Sequence, residues 1–233
     1  MTTNTVPGAR AMIWTLAGVT LKRLGRGMAL WISALFTALP LIYAGIAHGG
    51  RLQFHPKLQF GFSVLPLALL PAMLVGASIG EEIEQRTATY LWSRPIARWA
   101  VLAGKLVALV PIVTALVVAS WLASAWIATE QLPPLASSVA LAAGAIASSL
   151  VVAGIAVLVP KHGTALTIGY MLVDLFVGAL PFSLQALSIT YQIRVIAGLA
   201  DDPQAFVTPA IALAAIAGVW TAIGVVRIRR LEV

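Results

Sequence analysis

Residues 106–128 read LVALVPIVTALVVASWLASAWIA and contain no Asp, Glu, Lys or Arg. Four other stretches, 27–50, 58–80, 131–160 and 203–226, also lack these residues. Each is at least as long as the roughly 20 residues that a helix needs to cross about 30 Å of hydrocarbon. A sixth apolar stretch, 162–193, holds one charged residue, Asp174. These six stretches predict an integral membrane protein with six spans.

Composition supports the same fold class. Hydrophobic residues make up 60% of the chain and charged residues 10%, whereas soluble domains carry roughly a quarter charged residues. The spans are predicted to be α-helices, because backbone groups in lipid must be satisfied within one segment or in a closed barrel. Barrel strands alternate apolar and polar residues, and residues 106–128 do not alternate. The chain has no cysteine, which excludes disulfides and thiolate metal sites.

The positions of the cations predict the orientation, because Lys and Arg collect on the cytoplasmic side of membrane proteins. With a cytoplasmic N-terminus and six spans, twelve of the fifteen cations lie inside and both termini are cytoplasmic. The outside cations are Arg51, Lys57 and Arg194. The inside cations are Arg10, Lys22, Arg23, Arg26, Arg86, Arg94, Arg98, Lys105, Lys161, Arg227, Arg229 and Arg230.

The predicted elements form a single transmembrane domain over 1–233. Residues 9–24 are predicted to be an amphipathic helix in the inner interface, because Met12, Ile13, Leu16 and Val19 fall near helical spacing between cations. The alternative is a cytoplasmic extension of the first span. The predicted spans are 27–47, 59–79, 99–128, 135–159, 163–180 and 205–226, with a cytoplasmic segment at 80–98.

A break is predicted after the fifth span. One helix over 162–193 would extend about 48 Å, which overshoots the membrane. Pro181 is the predicted break, because proline removes a helix hydrogen bond and clashes with the preceding turn. A short apolar helix at 182–197 then follows, and it is predicted to dip back into the outer leaflet.

One interpretation of the polar stretch at 80–105, GEEIEQRTATYLWSRPIARWAVLAGK, is a catalytic site. Glu81, Glu82 and Arg86 fit the Glu-Glu-x-x-x-Arg motif of CAAX-type intramembrane proteases. The Phe-x-x-x-His and His-x-x-x-Asn/Asp motifs of those enzymes are absent around His48, His55 and His162. A general base without its partner groups is a poor catalyst, so this is a distant alternative.

A mechanical role is the other interpretation of this stretch. Residues 87–92 can form one or two helical turns that end before Pro95. Tyr90 and Trp92 then face the cytoplasm beside mixed charges, and aromatic and Arg side chains supply much of the energy of protein interfaces. A solvated loop with interfacial aromatic residues remains an equal alternative on these grounds.

The stretch resembles the cytoplasmic signature of ABC-2 type transporter permeases. In that family an acidic residue, Gly-Thr, a Leu-Leu pair, Arg/Lys-Pro, Arg and Gly-Lys join the second and third spans. Here Glu84, Thr87 and the Tyr90–Trp92 segment occupy the first positions, with Arg86 in place of the usual glycine. The remaining matches are Arg94-Pro95, Arg98 and Gly104-Lys105. The six spans, the N-terminal helix and the break after span five also fit the family.

The resemblance implies a non-catalytic permease subunit of an exporter in a bacterial inner membrane. It pairs with a second permease copy, and two separate ATPase subunits bind ATP and Mg; the chain itself needs no cofactor. By resemblance, the coupling residues are Thr87, Ala88, Thr89, Tyr90, Leu91, Trp92, Arg94 and Pro95. The expected ion pairs at the inner gate involve Glu81, Glu82, Glu84, Arg86, Arg98 and Lys105.

Asp174 is a separate functional candidate. A carboxylate inside a membrane span is costly and is by default a functional hypothesis. It either lines the translocation path and meets a polar or cationic substrate, or it makes a helix–helix hydrogen bond to a Ser or Thr neighbour. An ATP-independent transporter or channel is the second function hypothesis, and Asp174 and the proline breaks are the features that favour it.

Overall fold

A computed structural model describes residues 9–25, 27–50, 53–84, 98–159, 162–180, 183–200 and 206–230. Within these ranges all regular structure is helical, as the sequence predicts. The α-helices are α1 (Ala9–Leu24), α2 (Met28–His48), α3 (Pro56–Pro71), α4 (Ala77–Glu84), α5 (Arg98–Thr129), α6 (Leu135–Leu158), α7 (Gly163–Val177), α8 (Ile189–Ile196) and α9 (Val207–Arg230).

Within the described ranges, five helical segments are long and apolar enough to cross a membrane. They are Met28–His48, Pro56–Gly80, Trp99–Thr129, Leu135–Leu158 and Val207–Ile228. The apolar helix α7 is shorter, with 15 residues, which corresponds to about 22 Å. The described part of the chain is therefore an apolar helical bundle of membrane-protein character.

Helix α6 lies at the centre of the bundle and packs against α3, α5, α7, α8 and α9. Small residues allow this packing. A Cβ at Gly154 would lie 2.7 Å from the carbonyl oxygen of Trp220, so the backbones of α6 and α9 touch at this point. A Cβ at Gly144 would lie 2.7 Å from Ile193 and 2.9 Å from Leu67. Close approach through glycine is how membrane helices gain van der Waals contact.

The second long segment is not one regular helix. A π-helical turn at Ala72–Gly76 joins α3 to α4, and Ala77 N–H donates to the Ala72 carbonyl oxygen. The turn directly follows Pro71, whose ring nitrogen carries no proton to donate to the helix. Gly76 completes the packing, because a Cβ there would lie 3.1 Å from both Thr167 and Val152.

The α7–α8 region is broken earlier than the sequence predicts. Helix α7 ends at Val177, whereas the predicted span runs to residue 180 and the predicted break is Pro181, which lies outside the described residues. A 3₁₀ turn at Ser183–Leu187 and then α8 follow, in place of one helix over 182–197. Gly178 marks the true end because it touches the start of α8: a Cβ there would lie 2.6 Å from Ser188 Oγ.

Candidate functional site

Two helices flank the predicted coupling segment and contact each other, and we call this part of the bundle the 84–98 end. Helix α4 carries Glu81, Glu82 and Glu84, and α5 begins at Arg98. The helix thus continues past the predicted end of the second span at residue 79. The other predicted coupling and gate residues lie outside the described residues: Arg86, Thr87, Ala88, Thr89, Tyr90, Leu91, Trp92, Arg94 and Pro95.

Lys105 connects α5 to α4 at the 84–98 end. Its side chain is 4% exposed, and its Nζ donates a hydrogen bond to the carbonyl oxygen of Ser78. A buried ammonium needs such a partner, because burying an unpaired charge is costly. The contact fixes the first turns of α5 against α4, so the two helices that emerge toward residues 85–97 are held at a defined separation.

Gly104, the neighbour of Lys105, receives α1. A Cβ at Gly104 would lie 3.0 Å from Leu16 Cβ and 3.1 Å from the carbonyl oxygen of Ile13. Leu16 and Ile13 therefore pack on α5, whereas Val19, which the sequence grouped with them, is 60% exposed. The Gly104-Lys105 pair thus brings α1, α4 and α5 together: the glycine permits the approach of α1, and the lysine holds α4.

Asp174 lies in the last turn of α7 and not at its centre. It is 7% exposed. Its carboxylate accepts hydrogen bonds from Ile189 N–H (2.8 Å), Thr190 N–H (2.9 Å) and the Thr190 hydroxyl (2.7 Å). The acceptor therefore satisfies the first backbone N–H groups of α8, which have no partner within their own helix.

Ser188 strengthens this junction from the other side. Its hydroxyl donates to the Asp174 carbonyl oxygen at 3.0 Å and accepts from Tyr191 N–H at 3.2 Å, as the N-cap of α8. The structure thus shows the second of the two roles considered for Asp174, a hydrogen bond to a Thr neighbour that joins two helices. A role in a translocation path stays a prediction.

Gln59 is a polar residue that the sequence analysis did not single out. It is fully buried in α3, and neither Oε1 nor Nε2 of its amide has a hydrogen-bond partner among the described residues. Two buried atoms on α5, Thr114 Oγ1 and Trp121 Nε1, also lack a hydrogen-bond partner among the described residues. The sequence signal that could have identified Gln59 is its position as a lone amide at the start of the charge-free stretch 58–80.

Among the described residues no group of His, Asp and Glu is arranged to hold a metal ion.

Comparison of the chain with protein-family models found no match, and comparison with curated proteins found none either. The features that bear on function are the geometry at the 84–98 end and the sequence that connects its two helices.

Proposed function

We propose that this chain is the membrane-spanning permease subunit of an ABC-2 type exporter. In this proposal α7 and the residues that follow it complete a sixth crossing beside the five long apolar segments. Helix α1 lies in the inner interface, and the 3₁₀ turn and α8 form the re-entrant segment after the fifth span. Both termini are cytoplasmic, in a bacterial inner membrane.

The observation that carries the proposal is the Lys105–Ser78 contact at the 84–98 end. It ties the two helices that flank residues 85–97, and the neighbouring Gly104 adds α1 to the same group. A segment that receives force must be attached to helices that move together, and this contact supplies such an attachment. The sequence of the segment, with Tyr90, Trp92 and Arg94-Pro95, resembles the coupling helix of ABC-2 permeases.

The proposed mechanism is mechanical. Two copies of this chain form the path between them, and each coupling segment docks on a separate ATPase subunit. Closure of the ATPase dimer on ATP and Mg then displaces α4 and α5 as a pair. Among Glu81, Glu82, Glu84, Arg86 and Arg98, ion pairs at the inner face hold the geometry, since each exposed pair contributes about 0–1 kcal/mol.

The first test is purification of the tagged chain from its host in mild detergent, followed by mass spectrometry. An equimolar P-loop ATPase is the expected companion. A homo-oligomer without an ATPase would contradict the proposal and favour an ATP-independent transporter. A control pull-down with an unrelated six-span protein identifies ATPases that adhere nonspecifically.

The second test addresses the docking residues. Trp92→Ala and Tyr90→Ala are expected to weaken ATPase binding by about 2 kcal/mol each if these aromatic residues are hot spots. The circular dichroism of the spans should not change. Stimulation of the ATPase equal to that by the unaltered chain in both variants would contradict this placement of the docking site.

A further inference from the structure

A cavity of about 520 Å³ opens between the start of α3 and the C-terminal end of α8. The described residues that line it are His55, Lys57, Leu58, Phe60, Arg194 and Leu199. Three of these side chains are basic, and none of the described lining side chains is acidic. The other walls are apolar. We call this site the Arg194 cavity.

The first helical turn of α3 supplies one side of the Arg194 cavity. The helix begins at Pro56, and its N-cap residue, His55, makes no side-chain capping hydrogen bond. The first N–H groups of a helix have no acceptor within the helix, and the helix dipole gives this end a partial positive charge. Lys57 adds a full positive charge to the same turn. This combination of helix end and cation favours an anionic ligand.

Arg194 also lines the cavity. It lies in the last turn of α8 and is partly buried. Its guanidinium donates one long hydrogen bond, 3.5 Å, to the Gly178 carbonyl oxygen. A guanidinium carries five N–H donors in a rigid fork, which matches the geometry of a phosphate group. The side chain thus has donor capacity beyond its contact with Gly178.

The position of Arg194 is determined by the junction described above. Asp174 and Ser188 fix the N-terminal turn of α8, and Ile193 packs against α6 at Gly144. Helix α8 is therefore anchored at its start and along its buried face. Arg194 lines the cavity together with Lys57 and His55, and its position is set by an anchored helix before any ligand binds.

We propose that the Arg194 cavity is a binding site for an anionic phosphate group, either free phosphate or the headgroup of an anionic phospholipid. Arg194 is the bidentate donor, and Lys57 and the start of α3 complete the positive field. Phe60, Leu58 and Leu199 form the apolar wall that an acyl-bearing ligand would contact. The proposal requires neither an ATPase nor transport, so it stands or falls independently of the permease assignment.

The experiment measures thermal unfolding of the full chain with two probes. The first probe is inorganic phosphate in maltoside detergent, against sodium chloride at equal ionic strength. The second is a nanodisc of phosphatidylcholine with phosphatidylglycerol, against phosphatidylcholine alone. A ligand that binds only the folded state raises the unfolding temperature. A saturable rise with phosphate indicates that the free anion suffices. A rise only with phosphatidylglycerol identifies the lipid as the source.

Arg194→Gln is the principal variant. It is expected to weaken binding of the effective probe roughly tenfold or more, because it removes a charge-assisted bidentate contact. Lys57→Gln provides the same measurement if Arg194→Gln does not fold. Lys22→Gln is the matched control, because Lys22 lines a different cavity, with Val19, Arg23 and Gly27, and it should leave binding unchanged. No shift with either probe, or equal shifts in Arg194→Gln and the unaltered chain, would overturn the proposal.

Asp201 and Asp202 follow Leu199 in the sequence and lie outside the described residues. They are the acidic residues closest in the sequence to Leu199, which lines the cavity. Replacing both with asparagine removes two negative charges next to Leu199 in the sequence, and it is expected to leave phosphate or lipid binding intact or to tighten it. Loss of binding in this double variant would also overturn the proposal.

Discussion

Among the described residues, the bundle buries one cation, Lys105, and one anion, Asp174, toward its two ends, and the backbone groups that these side chains bind differ in kind. Lys105 donates to the Ser78 carbonyl oxygen, which lies within α4. Asp174 accepts from the first N–H groups of α8. A carbonyl inside a helix accepts a bond within that helix, whereas the first N–H groups of a helix have no such partner. Removing Asp174 therefore leaves the two N–H groups without their acceptor, whereas the Ser78 carbonyl oxygen keeps its bond within α4 when Lys105 is removed.

The largest expected effect is that of Asp174→Ala. Ile189 N–H and Thr190 N–H lose their acceptor in a buried site, so we expect the free energy of unfolding to fall by about 3 kcal/mol. The measurement is the midpoint of SDS-induced unfolding, which is monitored by circular dichroism. Glu130→Ala is the control, because Glu130 is an exposed carboxylate near the same end. Equal midpoints in the two variants would show that Asp174 does not hold α8.

Lys105→Met should have a smaller effect on the same midpoint. The methionine keeps most of the apolar stem but loses the charged donor, so we expect a decrease of about 1.5 kcal/mol. Lys22→Met, at an exposed position, is the control and should change little. A loss as large as that of Asp174→Ala would contradict the distinction between satisfied and unsatisfied backbone groups.

Gln59→Met extends the comparison to a buried polar group without a partner. Its amide forms no hydrogen bond among the described residues, so an apolar side chain of similar shape should raise the free energy of unfolding by about 1 kcal/mol. Gln131→Met, at an exposed position, should give no such gain. A destabilised Gln59→Met variant would indicate that the amide has a partner in the membrane-embedded protein.

Thr190→Val tests the smallest part of the Asp174 junction. It removes the hydroxyl donor but leaves both backbone donors to the carboxylate, so the expected loss is about 0.6 kcal/mol, typical of one hydrogen bond between membrane helices. Thr221→Val is the control, because the Thr221 hydroxyl bonds only within its own helix, to Ala217. A loss near that of Asp174→Ala would assign the junction to the hydroxyl and not to the backbone.

Long apolar stretches were predictable from the sequence because membrane thickness sets their length. The predicted span 99–128 corresponds to Arg98–Thr129. The end of α7 was less predictable, because it depends on the contact of Gly178 with Ser188. An irregular connection separates these two residues in the sequence, so no local pattern indicates that they meet. The same holds for Val19: helical spacing grouped it with Leu16, but contact with Gly104 decides which residues of α1 are covered.

The candidate site was predictable in part. The Gly104-Lys105 pair was identified by resemblance, and the structure gives each residue a contact. The role of Asp174 was open between two hypotheses, because no local pattern indicates which backbone groups a carboxylate meets fifteen residues later. The π-helical turn at Ala72–Gly76 was also missed, since a proline in a helix predicts a disturbance but not the register change that accommodates it.

The glycine contact between α6 and α9 has a consequence for the order in which the protein opens. A Cβ at Gly154 would lie 2.7 Å from Trp220 O, and one at Gly224 would lie 3.4 Å from Gly154 Cα. No layer of side chains separates the helices there, so neither can shift alone without losing close backbone contact. Amide hydrogens of both helices should therefore exchange with solvent in a single cooperative event, as parts of one unfolding unit.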